Sequence, residues 1–116
     1  MSSVNQSETV LNLAKLNEAF MNDLSIIKQI LTAYQETVID FEQRFKTLER
    51  EGNKENLSRL VHGLKGSSAN IRAEQVATQA AKLQLMIDQG ENYSNEVDPL
   101  MMSLNTLEQE INKLKS

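Results

Sequence analysis

Cysteine and tryptophan are absent from this sequence, proline occurs once, glycine four times, and two tyrosines and three phenylalanines are the only aromatic residues. Without cysteine there is neither disulfide stapling nor thiolate chemistry. A β-sandwich needs a turn roughly every eight to twelve residues and many β-branched or aromatic side chains, so this scarcity excludes one. Cations are outnumbered as well: 12 Lys plus Arg against 16 Asp plus Glu leave a formal net charge of -4, with no basic stripe. Affinity for a phosphate backbone comes from many cations on one face, which excludes a nucleic-acid partner. Nowhere do roughly 18 apolar residues run together, so no membrane span is expected. Residues 1–10 lack the cationic start and apolar stretch of a secretory leader, and the expected location is the cytoplasm.

What the sequence does have is a 40% share of hydrophobic residues in 116 positions. That suits one domain, 1–116, able to bury roughly two thirds of its unfolded surface. Residues 1–10, rich in Ser, Asn and Gln, are expected to be a frayed lead. Asn12 precedes a short helix marked by Leu13, Leu16 and Phe20. Behind Asn22 and Asp23, either able to cap a helix, Leu24, Ile27, Leu31, Tyr34, Val38, Phe41, Phe45 and Leu48 recur at spacings of three and four. This predicts one long amphipathic helix ending near Gly52. Leu57, Leu60, Val61, Leu64, Ser68 and Ile71 fall within about 100° of helical arc, predicting a third helix from Lys54 to Asn70. Val76, Ala80, Leu83 and Ile87 mark a fourth, which stops at Gly90. Glu91 to Asp98 reads as a polar loop, with Asp98 as cap and Pro99 as the first helical position. The last stripe is Val97, Leu100, Leu104, Leu107, Ile111 and Leu114. Four striped helices on short loops predict an all-α antiparallel four-helix bundle, with the short N-terminal helix lidding one end.

Leu60 to Ala73, reading LVHGLKGSSANIRA, breaks the pattern. Gly63 and Gly66 stand inside the third helix, each at a cost of about 1 kcal/mol relative to Ala, and something should offset it. Measured from the buried stripe, His62 points about 140° away and Gly66 about 180° away, so both should face solvent. Lys65 and Gly66 follow His62 at i+3 and i+4 on the same face. Ser58, Arg59 and Ala69 are their neighbours there, a candidate docking face. Neutral imidazole offers one ring nitrogen as a nucleophile. An ammonium beside it can balance the charge of a phosphoryl group arriving there, and phosphoryl transfer asks the protein mainly for positioning and charge balance. Gly66, bare of side chain, would let a partner's reacting groups come close.

HGLKGSSANIRA followed by VATQAAKLQ resembles the histidine-containing phosphotransfer (HPt) domains of bacterial phosphorelays, with their pattern of His, two residues, then Lys-Gly and small residues. The likeness is specific over residues 57–87, and the helix pattern suits the family fold over nearly the whole chain. The resemblance implies that His62 is the phosphorylated residue, Lys65 its charge partner and Gly66 the clearance residue. It further implies that Gln84, where such domains often carry Glu or Gln, orients the imidazole by a hydrogen bond. Response-regulator receiver domains and a hybrid sensor histidine kinase are the implied partners. The chain itself would be a monomer without cofactor or metal, the Mg²⁺ belonging to the receiver. Two positions depart from the family pattern. Arg72 replaces a common Gly in the turn after the helix, so that turn is expected to manage without φ > 0 or to take another shape. Gly63 replaces a residue that is more often polar, leaving the helix less rigid around His62.

Taken singly, these residues have plainer roles. An exposed His is usually only a surface residue, Lys65 alone a solvated charge, Gly66 a packing notch and Gln84 an ordinary flank of an amphipathic helix. One His without Cys is a poor zinc site. Met86, Met101 and Met102 suit core or edge filler, and Ser67 and Ser68 suit close helix packing. Two functions remain. One is a phosphoryl carrier, not an independent enzyme, in which His62 accepts from an aspartyl phosphate on one receiver and passes the group to another. The alternative is a helical docking or scaffolding module that binds receivers without phosphotransfer. His62 beside Lys65 and Gly66 favours the carrier. A hydrolase lacks a second catalytic group, and no glycine-rich loop is present to hold ATP.

Overall fold

The computed structural model describes residues 10–116. Its helices are α1 (Leu13–Ala19), α2 (Leu24–Glu51), α3 (Lys54–Asn70), α4 (Glu74–Asp88) and α5 (Ser94–Lys115), and there is no strand among the described residues. The first three start in the same way. Asn12, Asp23 and Asn53 each turn a side-chain oxygen onto a free amide of the first turn, those of Lys15, Ile26 and Asn56, at 3.1, 3.2 and 3.2 Å.

The ends of α1 to α4 are also alike. The amides of Asn22, Asn53, Ala73 and Glu91 return to the carbonyls of Asn17, Leu48, Ser68 and Met86 at 2.8 to 3.0 Å. This closure requires one residue in the left-handed region just before it. Met21, Gly52, Arg72 and Gly90 supply it, with φ of 56°, 69°, 64° and 71°. Of the two expectations for the turn after α3, no positive φ at Arg72 or another shape, the first does not hold: Arg72 itself takes the left-handed conformation. The two closing bonds, Arg72 N to Ala69 O at 3.1 Å and Ala73 N to Ser68 O at 2.9 Å, hold Arg72 there.

The start of the last helix differs from the sequence reading. α5 begins at Ser94, so the loop is shorter than Glu91 to Asp98 and Pro99 lies inside the helix. Asp98 is therefore not the cap: the N-cap position falls on Tyr93, which makes no side-chain capping bond, and Asn92 Oδ1 accepts from Ser94 N at 3.1 Å. Proline here removes only the bond to the carbonyl of Asn95, an exposed residue, where water can take its place.

Cross-helix contacts show the helices running antiparallel. His62 meets Gln84 and Ser58 meets Asp88 between α3 and α4, while Gln75 meets Ser103 and Lys82 meets Glu96 between α4 and α5. Gln35 reaches Asn112 and Lys115, and Glu49 reaches Tyr93, closing α5 onto α2. The core takes Ile27, Leu31, Tyr34, Val38, Phe41 and Phe45 from α2, with the α3, α4 and α5 stripes opposite. Leu24, the first residue of α2, is 50% exposed because it overhangs the end of that stripe. Inside the core the Tyr34 and Ser68 hydroxyls are 2.7 Å apart.

α1 covers one end of the bundle, with Leu16 fully buried and Lys15 Nζ 3.0 Å from Glu74 Oε2 at the start of α4. Of the expected frayed lead, residues 1–9 lie outside the described residues. Val10 does not fray: it is buried, and the Val10 and Leu11 amides donate to the Glu110 carboxylate at 3.1 and 2.7 Å. No helix among the described residues is long and apolar enough to cross a membrane.

Candidate functional site

Burial of Leu57, Val61, Leu64 and Ser68 fixes the rotation of α3 about its axis. The outward face that remains carries His62, Lys65, Gly66 and Ala69, all exposed. Among the described residues, a Cβ placed on Gly66 would meet no atom of another helix within 4 Å, so Gly66 is not a notch for any of them. The same is true of Gly63. Lys65 makes no ion pair among the described residues, which leaves its ammonium available beside the imidazole.

Gln84 reaches the imidazole from α4. Its side chain is half-buried, and its Oε1 lies 3.2 Å from His62 Nδ1. A carbonyl oxygen can only accept, so this contact favours the tautomer with the hydrogen on Nδ1, in which Nε2 keeps the free lone pair.

The candidate docking residues divide. Ala69 is open to solvent. Arg59 is engaged by Glu55 one turn back at 2.9 Å, an exposed pair of the kind that contributes little to stability. Ser58 turns toward α4, where its hydroxyl donates to Asp88 Oδ1 at 2.5 Å. Sequence reasoning missed Asp88. Its signal was a carboxylate on the last residue of a helix, where the helix dipole disfavours negative charge.

The geometry is thus an exposed imidazole with one nitrogen held, a cation at i+3 and a bare stretch of helix at i+4. A model of the Hpt domain family matches residues 12–116, from the cap of α1 to the C-terminal residue. The chain belongs to the Hpt domain family. Hpt domains are phosphocarriers of two-component phosphorelays, and they work with receiver domains and kinases. The helical bundle of this Hpt domain, with His62 in the middle of α3, is the scaffold on which such a carrier is built. Neither the curated proteins nor the solved structures compared with the chain gave a match.

Proposed function

We propose that His62 is the phosphoryl acceptor of this Hpt domain. It takes the group from an aspartyl phosphate on one receiver domain and gives it to an aspartate on another, with a hybrid sensor histidine kinase upstream. The observation that carries this reading is the exposed imidazole held through Nδ1 by Gln84 at 3.2 Å. As Nε2 attacks phosphorus, the P–O bond to the aspartyl carboxylate breaks, a P–N bond forms and the carboxylate leaves on the receiver. Lys65 balances the charge on the group in flight, and Gly66 gives the receiver's rim room to approach. The Mg²⁺ belongs to the receiver's acidic pocket, and the Hpt domain needs no cofactor of its own. It acts as a monomer in the cytoplasm and is a carrier, not an independent enzyme.

The test is incubation of the full chain with a phosphorylated receiver domain and Mg²⁺, followed by acid and base treatment of the labelled product. His62→Gln is expected to abolish acceptance of an acid-labile, base-stable label while helix content and Tm stay near wild type, because position 62 lies off the buried stripe. Labelling that survives in this variant would remove the assignment. Lys65→Ala is expected to slow transfer by about 1 to 3 kcal/mol in the barrier, the scale of one charged hydrogen bond. An unchanged rate at saturating receiver would reduce Lys65 to a surface cation.

A further inference from the structure

Asp88 stands at the unfavourable end of its helix. It is the last residue of α4, where unpaired carbonyls make the terminus partly negative and a carboxylate is disfavoured. Aspartate is also among the poorer helix formers. What offsets the placement is a contact across the helix pair. Ser58 Oγ donates to Asp88 Oδ1 at 2.5 Å, the length of a charge-assisted O–H···O⁻ bond. Ser58 lies one turn before His62 on α3, and Asp88 one turn after Gln84 on α4. Because the helices run antiparallel, Ser58–Asp88 and His62–Gln84 form adjacent rungs on one flank of the α3–α4 pair.

The rungs differ in stiffness. At 3.2 Å the His62–Gln84 contact is at the long end of ordinary hydrogen-bond lengths. A slide of α4 along its axis by one residue, about 1.5 Å, would carry Gln84 out of reach. The residues that flank Gln84 on this side of α4 are small and half-buried, Ala77 and Ala81, so no long side chain braces Gln84 along this flank. The buried stripes hold the two helices together, and the short Ser58–Asp88 bond is the polar contact that ties the end of α4 to α3 one turn from Gln84. We propose that Asp88, acting through Ser58, is a positioning residue for the imidazole. It pins the end of α4 against α3 and so keeps Gln84 Oε1 on His62 Nδ1, leaving Nε2 as the free lone pair. The inference rests on the reading of His62 given above.

The chain contains one histidine, so a two-bond proton–nitrogen NMR spectrum of the full-length protein reports one imidazole and its tautomers. The Nδ1–H form is expected to prevail in wild type. Gln84→Ala should raise the ratio of Nε2–H to Nδ1–H about fivefold, the equilibrium change that corresponds to one ordinary hydrogen bond. Asp88→Ala and Ser58→Ala should each move the ratio the same way by about twofold or more, as partial losses of that bond. Asp88→Asn, whose amide oxygen still accepts from Ser58, should restore the wild-type ratio. Asp88→Ala combined with Gln84→Ala should add nothing to Gln84→Ala alone, since both act through one contact. Helix content should hold throughout, because removing a carboxylate from a helix C-terminus relieves repulsion. A wild-type ratio in Asp88→Ala, in Ser58→Ala or in Gln84→Ala, or an additive double variant, overturns the proposal. Failure of His62 as acceptor would show separately, as labelling of His62→Gln, and would not alter the tautomer result.

Discussion

Gly66 sits on the outer side of α3 at a helix-propensity cost of about 1 kcal/mol, and among the described residues no neighbouring atom occupies the space a side chain would fill. In the function proposed above, the counterpart of that cost is the receiver that approaches the helix from outside. Gly66→Gln is expected to melt at or above the wild-type temperature and yet transfer phosphate far more slowly. A side chain there would hold the receiver off His62, and a displacement of about 1 Å can cost about a hundredfold in rate. A thermal melt and a transfer assay on the same sample decide it, and a lower Tm with a normal transfer rate would refute the clearance role. The outward direction of His62, Lys65 and Gly66 was legible in the sequence because it needs only the angle between residues on one helix. The Gln84 contact was reached through the family resemblance. The Asp88 contact was not reached at all, since it depends on the register between two helices, which no single stripe contains.

At the scale of the element, the same distinction separates helix ends that could be read from those that could not. Starts at Asn12, Asp23 and Asn53 and stops at Gly52 and Gly90 follow from local chemistry, an acceptor for free amides and a residue at ease with positive φ. The start of α5 misled because proline is common at a first helical position, while here its missing bond falls on an exposed turn. Arg72 misled for the converse reason: its helix end takes the left-handed closure although the side chain resists it. That resistance makes a measurable prediction. Arg72→Gly is expected to stabilise the fold by about 0.5 to 1 kcal/mol, the strain relieved less the entropy glycine adds to the unfolded chain. Gly52→Ala, at a similar φ of 69°, is expected to destabilise it by about 1 kcal/mol. Denaturant midpoints of the two variants should move in opposite directions, and a fall in both would show that the Arg72 side chain stabilises its turn.

Across the whole molecule, α2 sets the length of the bundle, since 28 residues at about 1.5 Å each match its 42 Å long axis. Near the middle of that helix is the buried Tyr34–Ser68 bond. Burial pushes the Tyr34 hydroxyl up from 10.0 to about 12, against a smaller lowering by Ser68. Tyr93 is raised too, by burial first and then by Glu49. The folded protein thus keeps the Tyr34 proton at a pH where the unfolded chain has lost it. This contribution is complete below pH 10 and is lost as the pH rises toward 12. For Tyr34 it amounts to at most about 3 kcal/mol. Tyr34→Phe is expected to be less stable near neutral pH, where Ser68 loses its partner, by about 1 kcal/mol. Its Tm should then fall less steeply than wild type through the alkaline window, because lysine deprotonation is common to both proteins. Parallel curves would rule out Tyr34 as the titrating group.

The Glu110 carboxylate ties the entry of the chain to its last helix through the amides of Val10 and Leu11. Both residues precede α1, so no helical ladder shields these two N–H groups. Their shelter from deuterium exchange comes from a side chain a hundred residues away in sequence. The exchange clock of Val10 and Leu11 therefore counts how often the clasp to Glu110 opens, not how often α1 unwinds.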